Sequence, residues 1–283
     1  MFIQASFHTV RRILRAPSRR RSATMSAGHL IELGNDITQL LRRAHRSDCR
    51  RFAHGAIALC GEPDLGLNFV VLRSGATPDE LSQIMDIVLA PSIRVLVVVE
   101  EDAVDVLGYL AKIKIFSTGR LPLMERRATP VKHPLATEVR IASYEEWPAL
   151  APLMAASFVL NSASCDSAFP PTLAAEEGVE PWVFERFGKL LSCAVFVRDG
   201  DRAGLYAMAT HPAWQRQGIG RALLNAAMQS LTLRGVQRFT VASTQKGLPS
   251  YLSEKFAIVA RPHVLAIDSR SPMTQIRHGR YFR

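Results

Sequence analysis

No apolar run in this sequence approaches the roughly 18 uninterrupted residues that a membrane-spanning helix needs. The strongest candidate, 93–99, is a short β-branched run broken by Arg94 and ended by Glu100 and Glu101. It reads as a buried strand, and no membrane partner is expected. Cysteine is scarce: Cys49, Cys60, Cys165 and Cys193 are the only four, none forms a CxxC pair, and no histidine flanks them at zinc-finger spacing. That argues against a structural zinc site, so no metal is expected. It suits thiols serving as small core hydrophobes in a reducing, cytoplasmic setting. Acid is missing from both ends. Residues 1–24 hold six arginines and residues 269–283 hold four, with no Asp or Glu in either stretch. The formal charge of +10 therefore sits in the tails, and residues 25–268 carry 25 basic and 25 acidic side chains. A neutral body gives a polyanion no net field, so no nucleic-acid partner is expected.

What is present is a globular composition, 48% hydrophobic and 21% charged over 283 residues. That length suits one large domain or two small ones. Residues 1–24, Arg-rich, Ser-containing and acid-free, have the composition of an organelle transit peptide. They also suit an upstream extension with Met25 as the true initiator, the reading preferred. Either way they are expected as a disordered basic extension, with 269–283 as a basic tail.

Residues 30–47 have helical apolar spacing. Strand-like runs follow at 56–59 and 67–72, split by a Gly/Pro turn. Thr77-Pro78-Asp79-Glu80 has the N-cap, first-turn proline and capping-box spacing that open a helix, here to about Leu89. A strand at 93–99, a helix at 102–114 and a strand at 121–126 complete a mixed α/β unit over 25–128. Residues 129–137, with two prolines and little periodicity, form the expected linker. Residues 138–268 restart with a strand at 138–142 and a helix capped by Ser143 that runs to about Phe158. Residues 161–181 are loop-rich. Strands at 182–187, 192–198 and 203–209 form a meander, with Asp199-Gly200 as a hairpin signal. A helix from about Ile219, a strand at 238–242, a short helix and a last strand at 259–267 close the unit.

The chemistry concentrates in 207–231. A strand ends at Thr210, and Gln215-Arg216-Gln217-Gly218-Ile219-Gly220 leads into an apolar-faced helix. Glycines before a helix turn N–H groups toward one point, where the positive end of the helix dipole adds to them. That arrangement suits a pyrophosphate, with Arg216 and Arg221 beside it; an ordinary strand–loop–helix connection is the alternative. No Walker loop is present, and the third glycine of a dinucleotide fingerprint is replaced by Leu223.

Gln215, Gly218 and Gly220 after an antiparallel strand resemble the coenzyme A loop of the GNAT N-acetyltransferases. Strand 238–242 followed by Tyr251 and Phe256 is similar to the family's downstream pattern, with Lys255 in place of a glycine. The resemblance covers roughly 138–268 and implies a GNAT fold there. Residues 50–127 resemble, more weakly, a decayed copy without its own coenzyme loop, as in two-part bacterial members. An unrelated α/β domain is the alternative for that half.

The resemblance implies transfer of an acetyl group from acetyl-CoA to a small-molecule or peptide amine, by direct attack on the thioester. The chain would act as a monomer or homodimer. Main-chain groups of Met208, Ala209 and Thr210 would pair with the pantetheine. The segment Gln215, Arg216, Gln217, Gly218, Ile219, Gly220 and Arg221 would hold the pyrophosphate. Tyr251 would be the general acid for the departing thiolate; a half-buried packing tyrosine is the alternative. No carboxylate lies on 203–210, so the base is open: Glu185 reads better as a solvated strand face and His211 as a turn residue. Phe169 and Trp182 are candidate walls of the acceptor pocket. A non-catalytic acyl-CoA-binding regulatory protein is the alternative to an enzyme.

Overall fold

The computed structural model describes residues 19–129 and 137–270, with side chains from residue 27 onward. Most of the expected extension, linker and tail (1–18, 130–136 and 271–283) lies outside the described residues. The first half runs α1 (Arg19–Leu41), β1 (Asp48–Arg51), β2 (Gly55–Leu59), β3 (Phe69–Leu72), α2 (Pro78–Leu89), β4 (Arg94–Val99), α3 (Val104–Lys112), β5 (Gly119–Arg120) and β6 (Leu123–Arg127). The second runs β7 (Val139–Ile141), α4 (Leu150–Phe158), α5 (Ser162–Ala168), β8 (Val179–Arg186), β9 (Lys189–Asp199), β10 (Arg202–Thr210), α6 (Ile219–Leu233), β11 (Arg238–Ala242), α7 (Leu248–Ser253), β12 (Ala257–Ala260) and β13 (His263–Asp268). The class is mixed α/β, as the sequence implies.

Two mixed sheets form, in the orders β1-β2-β3-β4-β13-β5 and β12-β6-β11-β10-β9-β8-β7. Each has one parallel pair joined through a helix: β3–α2–β4 and β10–α6–β11. The sheets do not divide at the linker. β6 leaves the first half to lie between β11 and β12, and β13 leaves the second to lie between β4 and β5. The final strand expected at 259–267 is therefore two strands in two sheets. Pro262 separates them, because proline has no N–H to continue a ladder.

Strand alternation sorts three cores. Val95, Val97 and Val99 of β4 face α2 and α3, while Leu96 and Val98 face the other way. That second face joins α1, α4, α5 and the inner face of the other sheet in one continuous core. The far face of the second sheet packs on α6. All four cysteines are free. Burial pushes the Cys60, Cys165 and Cys193 thiols up to about 12, which suits core packing rather than reactivity.

Local signals account for most element ends. Thr77 accepts from Glu80 N at 3.2 Å and opens α2 as its capping pattern requires. Three expectations need correction. The described part of the basic extension is helical from Arg19, because Arg and Ala are good helix formers. The helix expected from Ser143 begins only at Leu150, after a 3-10 turn at Trp147–Ala149. Pro148 disfavours α conformation at the residue before it. The loop after Phe158 contains α5, which Asn161 caps by accepting from Ala163 N (2.8 Å) and Ser164 N (3.3 Å).

Ser143 still matters. Its N–H donates to Glu146 (2.8 Å), whose two carboxylate oxygens also take Arg140 at 2.6 Å each. Arg140 and this N–H hold the Glu146 carboxyl at about 2, below its ordinary 4.5. A value lowered by folding means the ionised group favours the fold above its unfolded value and loses that contribution as the pH falls toward 2. Urea midpoints should show this: the advantage of the parent over Glu146→Gln should be full at neutral pH and fade through the acid range.

Candidate functional site at the divergence of two strands

β10 and β11 pair in parallel from Arg202↔Arg238 to Leu205↔Val241 and no further. Beyond Leu205 no strand among the described residues lies beside the edge of β10 that faced β11. On the other side β9 continues, but its register shifts between Tyr206 and Ala209. Two residues of β10, Ala207 and Met208, stand opposite the single Ala194. This is a β-bulge, and it turns the strand where pairing with β11 ends. Ala207 sits at φ +48°, which costs an alanine on the order of 1–2 kcal/mol. Strain of this kind is retained where surrounding structure enforces it, often at sites of function.

Hydroxyls and one amide fix the strand end. Ser192 Oγ donates to Ala209 O (2.7 Å) and lies 2.9 Å from Thr210 Oγ1. Thr210 O accepts from Ser157 Oγ (2.9 Å) and from Gln215 Nε2 (3.0 Å). Gln215 thus folds the loop back onto the strand. Neither Ser157 nor Ser192 stood out in the sequence.

The loop then opens α6. Arg216 lies at φ +63° and Gly218 at φ +80°, the left-handed region that glycine enters freely. No side chain among the described residues caps this helix. Ala222 N donates to Gly218 O at 2.9 Å, so the first-turn N–H groups of Ile219, Gly220 and Arg221 precede the regular ladder. These donors and the helix dipole make a site for an anion. Gly220 joins loop to strand: a Cβ there would lie 3.0 Å from Thr210 Oγ1 and 3.2 Å from Met208 Cε. A Cβ there would require these two side chains to give by a few tenths of an ångström.

The fold thus brings Met208, Ala209 and Thr210 against Gln215–Arg221. Arg216, Gln217 and Gly218 are exposed, whereas the Ile219 side chain is buried in the α6 core. Arg221 differs from the expectation that it adds free charge. Its guanidinium pairs with Glu254 and donates to Ser253 Oγ at 3.0 Å, tying α6 to α7.

Tyr251, on α7, is half-buried, and its ring meets Phe256 edge-on at 5.6 Å. A Cβ on Gly247 would lie 3.3 Å from Tyr251 Cε2 and 3.4 Å from Ser243 Oγ, which places the ring at the loop leaving β11. Burial pushes its phenol above the ordinary value of 10. Glu185 pairs with Arg140, which also holds Glu146. His211 Nδ1 accepts from Ala213 N (3.3 Å) as the cap of the turn Pro212–Trp214. His211 is thus a turn residue, whereas Glu185 is part of an ion pair rather than a free solvated face. Phe169 and Trp182 do not share a pocket wall, because Phe169 packs in the core between the sheets and Trp182 packs on the α6 face. Strand alternation at Trp182 and Val183 sends them to opposite sides. Among the described residues no cluster of three or more His, Cys, Asp or Glu could hold a metal, and no helix is long and apolar enough to cross a membrane.

The equivalent connection in the first half is filled by its own side chains. β3 and β4 stay paired through Leu72↔Val99, and Glu100 N then bonds Leu72 O at 2.9 Å. Buried Glu100 accepts from Ser74 N (2.9 Å) and Ser74 Oγ (2.8 Å), and Asp105 accepts from Gly75 N (2.9 Å). Protein carboxylates hold the donors that an anion would need.

Residues 146–251 match the family described as Acetyltransferase (GNAT) family. Many solved structures are similar in fold, and two serve as examples. One is a GCN5-related N-acetyltransferase from Kribbella flavida, 16% identical, with 83% of this chain and 94% of that chain covered and a TM-score of 0.58. The other is a GCN5-related N-acetyltransferase from Sphaerobacter thermophilus, 12% identical, with 77% and 78% covered and a TM-score of 0.53. The likeness takes in both sheets. No curated protein sequence matches the chain.

Proposed function

We propose that this chain, whose residues 146–251 match the GNAT acetyltransferase family, is an acetyl-CoA-dependent N-acetyltransferase acting on a small-molecule or peptide amine. One observation carries the reading: β10 leaves β11 opposite a bulge, and the uncapped start of α6 packs against the same strand end. An extended pantetheine would add to the open edge of β10 at Met208–Thr210 as another strand would. The N–H groups from Gln217 to Arg221 would take the pyrophosphate, with Arg216 beside them.

The amine nitrogen would attack the thioester carbonyl. As the carbon–sulfur bond breaks, Tyr251 would give its proton to the thiolate. Glu185 and His211 are held by other partners, so the proton of the amine would leave through solvent. That same feature favours a second reading, a non-catalytic acyl-CoA-binding regulatory protein.

Calorimetric titration with acetyl-CoA tests the site. The parent should bind in the micromolar range. Arg216→Glu combined with Gln217→Glu puts two like charges at the exposed loop without touching the core. Like-charge juxtaposition costs several kcal/mol, so affinity should fall by about 100-fold or more. A parent that does not bind would remove the coenzyme reading. Binding without turnover on any member of an amine panel would favour the regulatory one.

A further inference from the structure

Helix α1 belongs to the first half, yet it is fastened to strands of the second sheet. His29 Nε2 lies 2.9 Å from Glu125 of β6. Glu32 pairs with Arg238, the first residue of β11. Asp36 takes Arg202, the first residue of β10, at both guanidinium nitrogens (2.6 and 2.7 Å) and accepts from Tyr206 Oη at 2.7 Å. Positions 29, 32 and 36 share one face of a helix. The helix therefore crosses β6, β11 and β10 in turn, with a polar tie to each.

The last tie is buried and built to fit. Asp36, Arg202 and Tyr206 are each less than 5% exposed. Arg202, Gly204 and Tyr206 share one face of β10. A Cβ on Gly204 would stand 2.2 Å from Asp36 Oδ2, so this position must be glycine for the carboxylate to enter. Arg202 also donates to Thr240 of β11 at 3.3 Å, linking both parallel strands to the same carboxylate.

A buried ion pair is weak evidence for stability, since well-packed apolar residues often serve as well. What it does supply is a single geometry. Tyr206 is the last residue in regular register before the bulge, and the strained Ala207 follows it directly. Holding the Tyr206 hydroxyl fixes the point from which β10 turns away from β11.

We propose that Asp36 is a positioning residue: through Arg202 and Tyr206 it sets where β10 diverges, and so the width of the cleft that would receive the thioester arm. This rests on the reading of that cleft as the coenzyme site. The first half, whose own loop is filled by Glu100 and Asp105, then contributes to the site of the second.

Tyr206→Phe removes one hydroxyl and leaves Arg202 on Asp36, so the fold should survive. Glu176→Gln is the control. It loosens Arg42 and Arg43, in the turn just after α1, without touching β10. Tyr206→Phe should weaken acetyl-CoA binding by about 5-fold or more, within the range by which such linking residues modulate a distant site. Amide exchange at 207–210 should quicken, while exchange in the middle of α6 should not. Glu176→Gln should lower the melting temperature and leave both readouts unchanged. A Tyr206→Phe protein with parental affinity and parental exchange at 207–210 would overturn the proposal, whatever its melting temperature. If the parent itself fails to bind acetyl-CoA, the coenzyme reading falls. The exchange at 207–210 then decides alone: faster in Tyr206→Phe supports Asp36 and Tyr206 as the pivot of β10, and unchanged overturns it.

Discussion

Produced as separate chains, residues 25–128 and 138–268 should each fail to fold, and mixing them should restore cooperative unfolding. The reason is the strand exchange. Without β6, β11 becomes an open edge and β12 has no strand to pair with. Leu123 and Met124, at 4% and 1% exposure, leave their cores together. Without β13, β4 loses its antiparallel partner over six residues, and Leu265 and Ile267 leave the core beneath α2 and α3. Emptying one Leu, Ile or Met site costs about 2–5 kcal/mol. Several at once exceed the roughly 5–15 kcal/mol of a whole domain. Far-UV circular dichroism and the fluorescence of Trp147, Trp182 and Trp214 report on it directly. A 138–268 fragment that unfolds cooperatively by itself would show that β6 is dispensable, and a 25–128 fragment that does so would show the same of β13.

The exchange also marks where sequence reading stopped. Thr77 and Glu80 opened a helix as their types demand, and Gly218 ended a loop as its freedom allows. Those are local signals, decided within four residues. The destination of a strand is not local. Leu123–Arg127 and His263–Asp268 have ordinary strand patterns, and nothing in either names the sheet it will enter. Pro262 did carry a usable hint, since a single nine-residue strand could not run through it.

The site was legible to the same depth. The Gly218–Gly220 spacing marked the loop and the Asp199-Gly200 signal marked the hairpin. Counting regular pairs from Arg202↔Asp199 would put Thr210 opposite Leu191. The bulge moves it to Ser192 and assembles the hydroxyl cluster at the strand end. A bulge at an alanine has no sequence signature, because glycine is the residue expected at positive φ. The Asp36 tie was hidden for a different reason. Its partners lie 166 and 170 residues away, and an acidic residue in a helix reads as a solvated face until its neighbours are known.

Tyr251→Phe should lower kcat by about 100-fold or more, the range for losing a positioned general acid. The acetyl-CoA dissociation constant should stay within about 2-fold, since an exposed-edge ligand loses no packing when only a hydroxyl is removed. The ring's fit should persist, because its edge-on contact with Phe256 involves carbon alone. The direction of the phenol's shift sharpens the test. Burial disfavours the phenolate, so the proton stays on Tyr251 through neutral and moderately alkaline pH. An acid must hold its proton to act, so activity should show no alkaline decline from this group below pH of about 10. A decline near neutrality would have to come from another residue. Unchanged kcat in that variant would leave Tyr251 as a packing residue of α7 and return the proton to water at the mouth of the cleft.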